Sequence, residues 1–407
     1  MADLTVNYCG FPFKNPVLMS PADHTWTLEQ MKLAFKNNAA GVVTKSLSTS
    51  EEMREQFHLV EHAIINENRE ICKGKIPPLF TFYGRSGMVQ EQPEQYVETL
   101  VKAQKFADPY DGIVIGSIHG TTIDSWVKGA KLMEQAGLKM IELDAGCPHS
   151  DEMKDVKDGL VREIVFAGRL AKAVKEAVKI PVVIKLTPQI PDLVEAAREI
   201  KKYGGDAVVI NGRFLGFLVD IETGKPYLNG WAGVGGPWIL PLSLRWVSKI
   251  YRAVDIQISG SAGPRDWRDV VQFMMSGATT VQFCSAIMVH GYGIVPDIVS
   301  GFQKFLDRKG YKRAEDIIGI AAKEAMGYSA MYDLKTRARI DDESCTTCKR
   351  CIETCWYDGL VFEDGKVKVT ENCKGCQICR MVCPVPGTIT MEGRKIPFKK
   401  FDPQTWP

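Results

Sequence analysis

Up to about residue 310, the chain alternates short apolar runs, rich in valine and isoleucine, with longer stretches whose apolar residues recur every three or four positions. Such short runs are typical of buried parallel strands, and the longer stretches are typical of amphipathic helices. The eight runs lie at residues 17–20, 41–45, 112–118, 139–144, 181–187, 206–211, 255–259 and 279–283. Eight strand–helix repeats predict a closed (β/α)8 barrel, with a doubly wound sheet as the alternative.

Helical spacing is clearest in four of the stretches between these runs, and most of their apolar residues are expected to be core. The four stretches span residues 27–37, 124–135, 159–178 and 191–203. A further apolar run at residues 79–83 predicts an extra strand inside the long insertion between the second and third barrel strands.

Two of the predicted strands carry a lysine in their last residues, the second in Thr44-Lys45 and the fifth in Lys185-Leu186-Thr187. The loops that follow the strands of such a barrel converge on one face, where the chemistry takes place. A single lysine there can equally be a side chain that snorkels to solvent. Two lysines at equivalent strand ends favour an anionic ligand.

Small residues follow the last two predicted strands, at Gly260-Ser261 and at Cys284-Ser285. Their backbone amides can approach a phosphate closely, and the loops after strands seven and eight often bind phosphate in this fold. These residues therefore predict the phosphate end of the ligand site.

The fourth predicted strand runs into a loop that carries a carboxylate, a thiol and an imidazole, at Asp144, Cys147 and His149. A cysteine before proline is often structural, but a position at the catalytic end of a barrel strand favours Cys147 as a proton donor or acceptor.

The other histidines and cysteines of this region carry weaker signals. His24 and His119 follow strand ends one and three, so they can line the pocket or be satisfied loop residues. The rest are expected to be surface, structural or packing residues: His58, His62, His290, Cys9 and Cys72.

Composition excludes several classes of protein. The 407 residues are 45% hydrophobic and 25% charged, with a formal net charge of +2, so no electrostatic case exists for binding nucleic acid or a membrane. No apolar run is long enough to span a bilayer, and the first ten residues lack a signal-peptide pattern. A cytoplasmic location is the expectation.

Eight of the 12 cysteines form two copies of one motif near the C-terminus. Its spacing lets three thiolates grip one iron–sulfur cubane while the fourth reaches the other cluster. One predicted [4Fe–4S] cluster takes Cys345, Cys348, Cys351 and Cys383, and the second takes Cys373, Cys376, Cys379 and Cys355. A pair of zinc knuckles is the alternative, but zinc sites do not repeat a third and fourth cysteine at this spacing.

With these features, the chain resembles the dihydroorotate dehydrogenase-like FMN flavoproteins, and among them dihydropyrimidine dehydrogenase of the bacterial iron–sulfur catalytic subunit type. Besides the twin cysteine motifs, the matching segments are residues 14–16, 43–45, 142–149, 184–188 and 282–287.

The resemblance implies a bound FMN and an oxidoreductase that acts on a C=C or C–C bond of a small, cyclic substrate. It implies that the flavin lies among Lys45, Lys185, Asn211, Gly236, Gly260, Ser261, Cys284 and Ser285. It also implies that Cys147 protonates one substrate carbon while the flavin delivers hydride to its neighbour, with His149 and Asp144 on the same loop.

The chain departs from the family at the residues that bind the pyrimidine. Asp144 and Gly146 replace an asparagine and a serine, and of the amide-bearing residues only Asn211 clearly remains, followed by Gly212 instead of threonine. An ionised carboxylate offers only acceptors where an amide offers a donor as well. A substrate other than uracil is therefore one expectation.

The chain has no dinucleotide fingerprint, because the glycines at 233–236 neither follow an evident strand nor have its spacing. Electrons must then pass through the clusters, and the resemblance implies an FAD- and NAD(P)-binding electron-transfer subunit in a homo- or hetero-oligomer. The alternatives are a relay subunit of a larger redox complex and a transfer-RNA dihydrouridine synthase-like enzyme.

The predicted domains are an FMN-binding barrel at residues 1–310, a helical tether at 311–340, a ferredoxin-like domain at 341–390 and a tail at 391–407.

Overall fold

The computed structural model describes residues 1–56, 60–145, 160–325, 332–334, 336–393 and 395–397. Its chain divides into two compact units, Met1–Glu324 and Ala325–Pro407.

Eight parallel strands close into a barrel within the described part of the first unit. They are, in chain order, Val17–Met19, Gly41–Val43, Ile113–Ile118, Ile141–Asp144, Val182–Lys185, Ala207–Ile210, Gln257–Gly260 and Thr280–Phe283. Each strand pairs with the next, and the eighth closes on the first through Val281 and Val17. The predicted (β/α)8 barrel and all eight of its predicted strands are confirmed.

Helices surround the barrel, and one helix overlaps each of the four predicted helical stretches. The helices of this unit are Leu28–Lys36, Glu51–Gln56, Pro93–Ala107, Ile123–Gln135, Leu160–Ala177, Leu193–Lys202, Leu240–Ala253, Trp267–Ser276, Ser285–His290, Val295–Lys309 and Ile320–Glu324. The helix Leu193–Lys202 shows why these form. Asp192 caps its first amides, and Leu193, Ala196, Ala197 and Ile200 share one buried face.

The core lies between the barrel strands and this helical layer. Its largest fully buried side chains include Trp126, Phe273 and Phe302. Among the described residues, no helix is both long and apolar enough to cross a lipid bilayer.

A four-stranded antiparallel sheet is inserted into the barrel unit. Its strands, in spatial order, are Phe214–Gly216, Ala232–Gly235, Thr81–Arg85 and Glu61–Ile65. The extra strand predicted at 79–83 is confirmed with a shift of two residues. Shorter antiparallel pairs join Val6–Tyr8 to Phe11–Phe13 and Val219–Asp220 to Lys225–Pro226.

The second unit consists of three strand pairs and two short helices in its described part. Tyr332–Leu334 pairs with Lys395–Pro397, Arg337–Ile340 with Ile389–Glu392, and Leu360–Glu363 with Lys366–Val369. The helices are Arg350–Glu353 and Ile378–Val382. The unit is the ferredoxin-like domain that follows the barrel.

The helical prediction for residues 311–340 does not hold along its whole length. Ala314–Ile317 and Ile320–Glu324 are short helical segments of the first unit, and Ala314 and Ile317 are fully buried in its core. Arg337–Ile340 is a strand of the second unit, with Ala338 buried. Its alternating pattern is that of a half-buried strand, which the helical interpretation overlooked.

Candidate active site

A cavity of about 1030 Å³, counting its open mouth, lies at the carboxyl ends of the barrel strands. Its walls come from residues at or just after the ends of seven of the eight barrel strands and from the inserted sheet. Predicted site residues that line it are Asp144, Lys45, Lys185, Asn211, Gly236, Ser261, Cys284 and Ser285. The barrel topology thus brings together residues that are up to 268 positions apart, since Ser20 and Met288 both line the cavity.

Three predicted residues are not placed on the cavity wall. Gly260 ends the seventh barrel strand, and a Cβ there would lie 2.2 Å from the ring of Phe273, so the glycine is needed for core packing. Cys147 and His149 fall outside the residues that the structure describes, so their roles remain predictions.

A buried polar layer crosses the barrel below the cavity. Lys185 Nζ donates to Ser20 Oγ at 3.1 Å and lies 3.8 Å from Glu142 Oε1. Glu142 Oε2 accepts a hydrogen bond from Gln282 Nε2 at 2.6 Å. Burial raises the pKa of Glu142, although the charge of Lys185 opposes that shift. The side chain of Lys185 is thereby fixed at the strand end and is not a snorkelling surface group.

Lys45 is held in a second polar network at the cavity wall. Its ammonium pairs with Asp23 Oδ1 and donates to Ser86 Oγ at 2.7 Å, and Ser86 Oγ donates to Asp23 Oδ1 at 2.8 Å. The other carboxylate oxygen, Asp23 Oδ2, lies 2.9 Å from His62 Nε2. Burial opposes ionisation of Asp23, but His62, Lys45 and Ser86 together hold its pKa well below its usual range. Burial also lowers the pKa of Lys45, which the Asp23 carboxylate counteracts.

Asp23, His62, Ser86 and Arg213 are cavity residues that sequence reasoning missed. His62 was predicted to be a surface or structural residue, and the structure places this partly exposed side chain on the cavity wall. No periodicity or motif spacing identifies these residues in the sequence, and His62 and Ser86 belong to the inserted sheet and its loop.

His24 and His119 are buried and do not line the cavity. Both ring nitrogens of His24 lack a hydrogen-bond partner among the described residues, and burial lowers its pKa to about 4. His119 places Nδ1 2.9 Å from the backbone oxygen of Asp144 and packs edge-on against Trp126. These histidines support the loops after strands one and three.

The cavity residues fit a flavin mononucleotide. Asn211 Nδ2 is buried without a described acceptor, while Asn211 Oδ1 accepts a hydrogen bond from Ser243 Oγ at 3.3 Å. Gly236 has a φ of +121°, and a Cβ there would lie 2.4 Å from the carbonyl oxygen of Phe80. An unpaired donor, two lysines and glycine-lined loops can together hold an anionic, amide-rich ligand.

The second unit contains two small cavities, each about 320 Å³ in volume. Cys345, Cys348, Cys351 and Cys383 line one, and Cys355, Cys373, Cys376 and Cys379 line the other. Each cavity therefore combines three cysteines of one motif with the last cysteine of the other, which is the grouping that the spacing predicts. Ligation itself is not observed and remains a prediction.

Backbone amides support the second of these cysteine groups. The amide of Gly359 donates to Cys355 Sγ at 3.3 Å, and the amide of Ala338 donates to Cys373 Sγ at 3.4 Å. Burial, followed by the neighbouring cysteines, raises the pKa of the Cys351 thiol in the first group to about 11. A bound metal would be needed to keep such a thiol deprotonated near neutral pH.

Two family models match this chain. The model of dihydroorotate dehydrogenase matches residues 82–306, and the model of a 4Fe-4S dicluster domain matches residues 338–391.

Individual proteins show the same similarity. The NAD-dependent dihydropyrimidine dehydrogenase subunit PreA of Escherichia coli (strain K12) is 28% identical, over 98% of this chain and 97% of that protein. The catalytic subunit of dihydroorotate dehydrogenase B (NAD(+)) of Methanothermobacter thermautotrophicus is 30% identical over 78% of this chain and 98% of its own length. The corresponding subunit of Pyrococcus abyssi is 31% identical over 79% of this chain and 99% of its own length.

Proposed function

Because the chain belongs to the dihydroorotate dehydrogenase family and carries a 4Fe–4S dicluster domain, we propose that it interconverts a C=C and a C–C bond in a small cyclic substrate. It is an oxidoreductase acting on CH–CH bonds, with FMN and two [4Fe–4S] clusters as its cofactors. The observation that carries the finer proposal is that one chain holds the strand-end cavity and eight cysteines grouped around two small cavities.

FMN, when bound, supplies hydride transfer on one side and single-electron exchange on the other. We assign its binding to Lys45, Lys185, Asn211 and Gly236, with Ser261, Cys284 and Ser285 at the phosphate. Lys185 is fixed by Ser20 and Glu142, so its charge has a defined position relative to the cavity. The unpaired Asn211 Nδ2 gives a directed donor, and a positive charge held nearby stabilises a ligand that gains negative charge.

The proton of the reaction is assigned to Cys147, whose loop begins directly after the fourth barrel strand. A thiol that donates or accepts a proton at one carbon, while hydride moves at the adjacent carbon, avoids a free carbanion. His149 lies two residues further along the same loop, and Asp144 lines the cavity at its start.

The substrate site differs from one that reads a pyrimidine through amides. Asp144 Oδ2 accepts a hydrogen bond from Ser46 Oγ at 3.2 Å, so this carboxylate presents acceptors to the cavity. Asp23, Lys45 and His62 add a further charged network on the same wall. Both features support a cyclic substrate that is not restricted to the uracil pattern of donors and acceptors.

The electrons are assigned to a route through the two clusters to a separate FAD- and NAD(P)-binding subunit. E. coli PreA is named as a subunit of an NAD-dependent enzyme, and that name supports the assignment. Within the described residues, the glycines of Ala232–Gly235 form a sheet strand, which is unlike a dinucleotide-binding loop.

The test uses protein purified anaerobically with its flavin and iron, reduced chemically, and then mixed with uracil, thymine or 2-cyclohexen-1-one. We expect at least one of these compounds to reoxidise the flavin, and Cys147→Ser to slow that step by about 10²- to 10⁴-fold. Cys72→Ser is the matched control, because Cys72 lies in the barrel unit but does not line the cavity.

Two results would contradict the proposal. Wild-type protein with a full flavin load that no such compound reoxidises would remove the assigned reaction. Unchanged reoxidation in Cys147→Ser would remove the assigned acid and favour a flavin that only relays electrons.

A further inference from the structure

The wall of the barrel cavity contains an aspartate–histidine pair that the reaction assigned above does not use. Asp23 follows the first barrel strand, and His62 lies on the strand Glu61–Ile65 of the inserted sheet. Asp23 Oδ2 and His62 Nε2 are 2.9 Å apart, and both residues line the cavity. About a fifth of the Asp23 side chain and a quarter of the His62 side chain are exposed, so the pair is accessible from the cavity.

The position of the imidazole is fixed by its neighbours on the sheet. Its ring packs against Phe82, with centroids 5.1 Å apart. It also lies across Gly84 on the paired strand, where any Cβ would come within 2.3 Å of His62 Nδ1. Only glycine at position 84 leaves this side of the ring clear.

The carboxylate determines which ring nitrogen carries hydrogen. Asp23 is ionised, so its oxygens only accept, and His62 Nε2 must be the donor of that bond. His62 Nδ1 is then the nitrogen available to a ligand, as an acceptor in the neutral ring and as a donor in the imidazolium. An imidazole oriented by a carboxylate in this way is suited to acid–base work.

Two cationic side chains lie near the imidazole, and both have other partners. The Lys45 ammonium pairs with Asp23 and donates a hydrogen bond to Ser86. Arg213 donates from Nη1 to the carbonyl oxygen of Gly84 at 3.1 Å, which brings a guanidinium to the same glycine that His62 covers. Positive charge therefore borders the imidazole, where it would stabilise negative charge that develops on a bound oxygen.

We propose that His62, oriented by Asp23, is a second acid–base residue of the active site and contacts a carbonyl oxygen conjugated to the reacting C=C bond. This inference rests on the function proposed above. Asp23 is a positioning residue, since it acts through the imidazole and through the Lys45 ammonium that it also holds.

The proton balance of this step is complete. When hydride adds to the far carbon of a C=C–C=O unit, the electron pair of the C=C bond moves onto the carbonyl oxygen. The imidazolium form of His62 gives that oxygen its Nδ1 proton, which forms an enol and leaves the neutral ring protonated at Nε2. Cys147 then protonates the near carbon, and the enol O–H proton returns to His62 as the carbonyl re-forms. The net addition is one hydride and one proton, and the reverse sequence dehydrogenates the saturated compound.

The test compares His62→Leu, His62→Gln and Asp23→Asn with Glu61→Gln, a control on the same strand whose side chain points to the opposite face of the sheet. Each variant is first assayed for bound FMN and thermal stability. With flavin content unchanged, we expect His62→Leu to slow flavin reoxidation by uracil or 2-cyclohexen-1-one about 10²-fold. His62→Gln keeps a hydrogen-bond donor and should recover part of that loss.

A second measurement is independent of turnover. In histidine-labelled protein, ¹⁵N NMR should show His62 protonated at Nε2, and the ring resonances should shift when cyclohexanone, a carbonyl ligand without the reacting bond, is added. Asp23→Asn should abolish the preference for Nε2 and lower kcat with little change in KM.

Several outcomes would overturn the inference. If the His62→Leu variant turns over as fast as the Glu61→Gln variant, His62 has only a structural role. If the His62→Leu variant loses FMN, His62 is a flavin contact instead. If neither uracil nor 2-cyclohexen-1-one reoxidises the wild-type flavin, the proposed function fails. If the wild-type flavin is reoxidised and the His62→Leu variant reacts as fast, only the proposed role of His62 is removed.

Discussion

The two units of this chain prepare their cofactor sites by different physical means. In the barrel unit, apolar side chains from strands and surrounding helices form one continuous core, with Trp126, Phe273 and Phe302 fully buried. In the second unit, the buried cluster of described residues consists of Ala338, Cys351, Leu360, Val367, Cys379 and Ile389. Two of these six are cysteines that line the cluster cavities.

From this difference we expect the barrel unit to fold before its cofactor binds and the second unit to need its clusters in order to fold. The barrel encloses its cavity with residues that are already hydrogen-bonded to one another. The described residues of the second unit form only a small buried apolar cluster, and small domains of this kind usually need metals or cross-links. Cofactor removal should therefore affect the two units unequally.

The largest expected effect is the response of the second unit to loss of iron. Because the clusters contribute folding free energy there, iron removal should unfold the hairpin formed by Leu360–Glu363 and Lys366–Val369. Hydrogen exchange measured by mass spectrometry should show its amides losing protection. The barrel strands Gln257–Gly260 and Thr280–Phe283 are the internal control and should stay protected. A hairpin that remains protected without iron would show that the unit folds without its clusters.

The fold and the cluster cysteines could be predicted because their signals are local. A barrel strand is a short apolar run, and a cluster motif is a fixed spacing of one residue type. The network of Asp23, Lys45, His62 and Ser86 joins four separate segments, two of them in an insertion without clear periodicity. Only the three-dimensional structure brings those side chains together.

Glu142 shows a second limit of sequence reasoning. It stands between Ile141 and Leu143 in the fourth barrel strand and is almost fully buried in the barrel interior. Nothing near it in the sequence identifies its partners, because Lys185 and Gln282 come from strands five and eight. Asp144 at the end of strand four was predicted as a site residue and lines the cavity, but the pairing of Glu142 with Lys185 could not be predicted.

Removal of one member of this buried pair should give the next largest effect. Lys185→Met leaves Glu142 buried without its cation, so the free energy of unfolding should fall by about 3–5 kcal/mol. The double variant Lys185→Met with Glu142→Gln should recover most of that loss. Denaturant unfolding of the barrel, followed by tryptophan fluorescence, measures both.

The pH dependence of Lys185→Met sharpens this prediction. Burial raises the pKa of Glu142, so the folded state holds its proton to higher pH than the unfolded state does. The variant should therefore be least unstable in acid and should lose stability as pH rises above the usual range of a carboxyl group. A cost that is independent of pH would contradict this interpretation.

A smaller effect is expected from the buried histidine beside the cavity. Burial lowers the pKa of His24 to about 4, from 6.5 in the unfolded chain. The unfolded state then binds more protons between these values, so barrel stability should be present above pH 6.5 and fall by about 3 kcal/mol as pH drops towards 4. His24→Phe should flatten this dependence in denaturant unfolding. A variant with the same acid sensitivity as the wild type would assign that sensitivity to other groups.

The smallest expected effect comes from a second lysine–carboxylate pair of the barrel unit, which differs from the buried pair in exposure. Lys175 Nζ lies 2.9 Å from Asp206 Oδ2, but the two side chains are 23% and 33% exposed, against 8% and 1% for Lys185 and Glu142. Lys175→Met should cost about 0–1 kcal/mol, because water screens the carboxylate that remains. Asp206 Oδ2 also accepts a hydrogen bond from the backbone amide of Val182 at 2.8 Å, which keeps the carboxylate hydrogen-bonded in the variant.

Lys175→Met is the same lysine-to-methionine change as Lys185→Met, made in an ion pair with a shorter distance. Equal losses in the two variants would show that the polar network around Lys185 is no better shielded from water than the surface of the barrel unit.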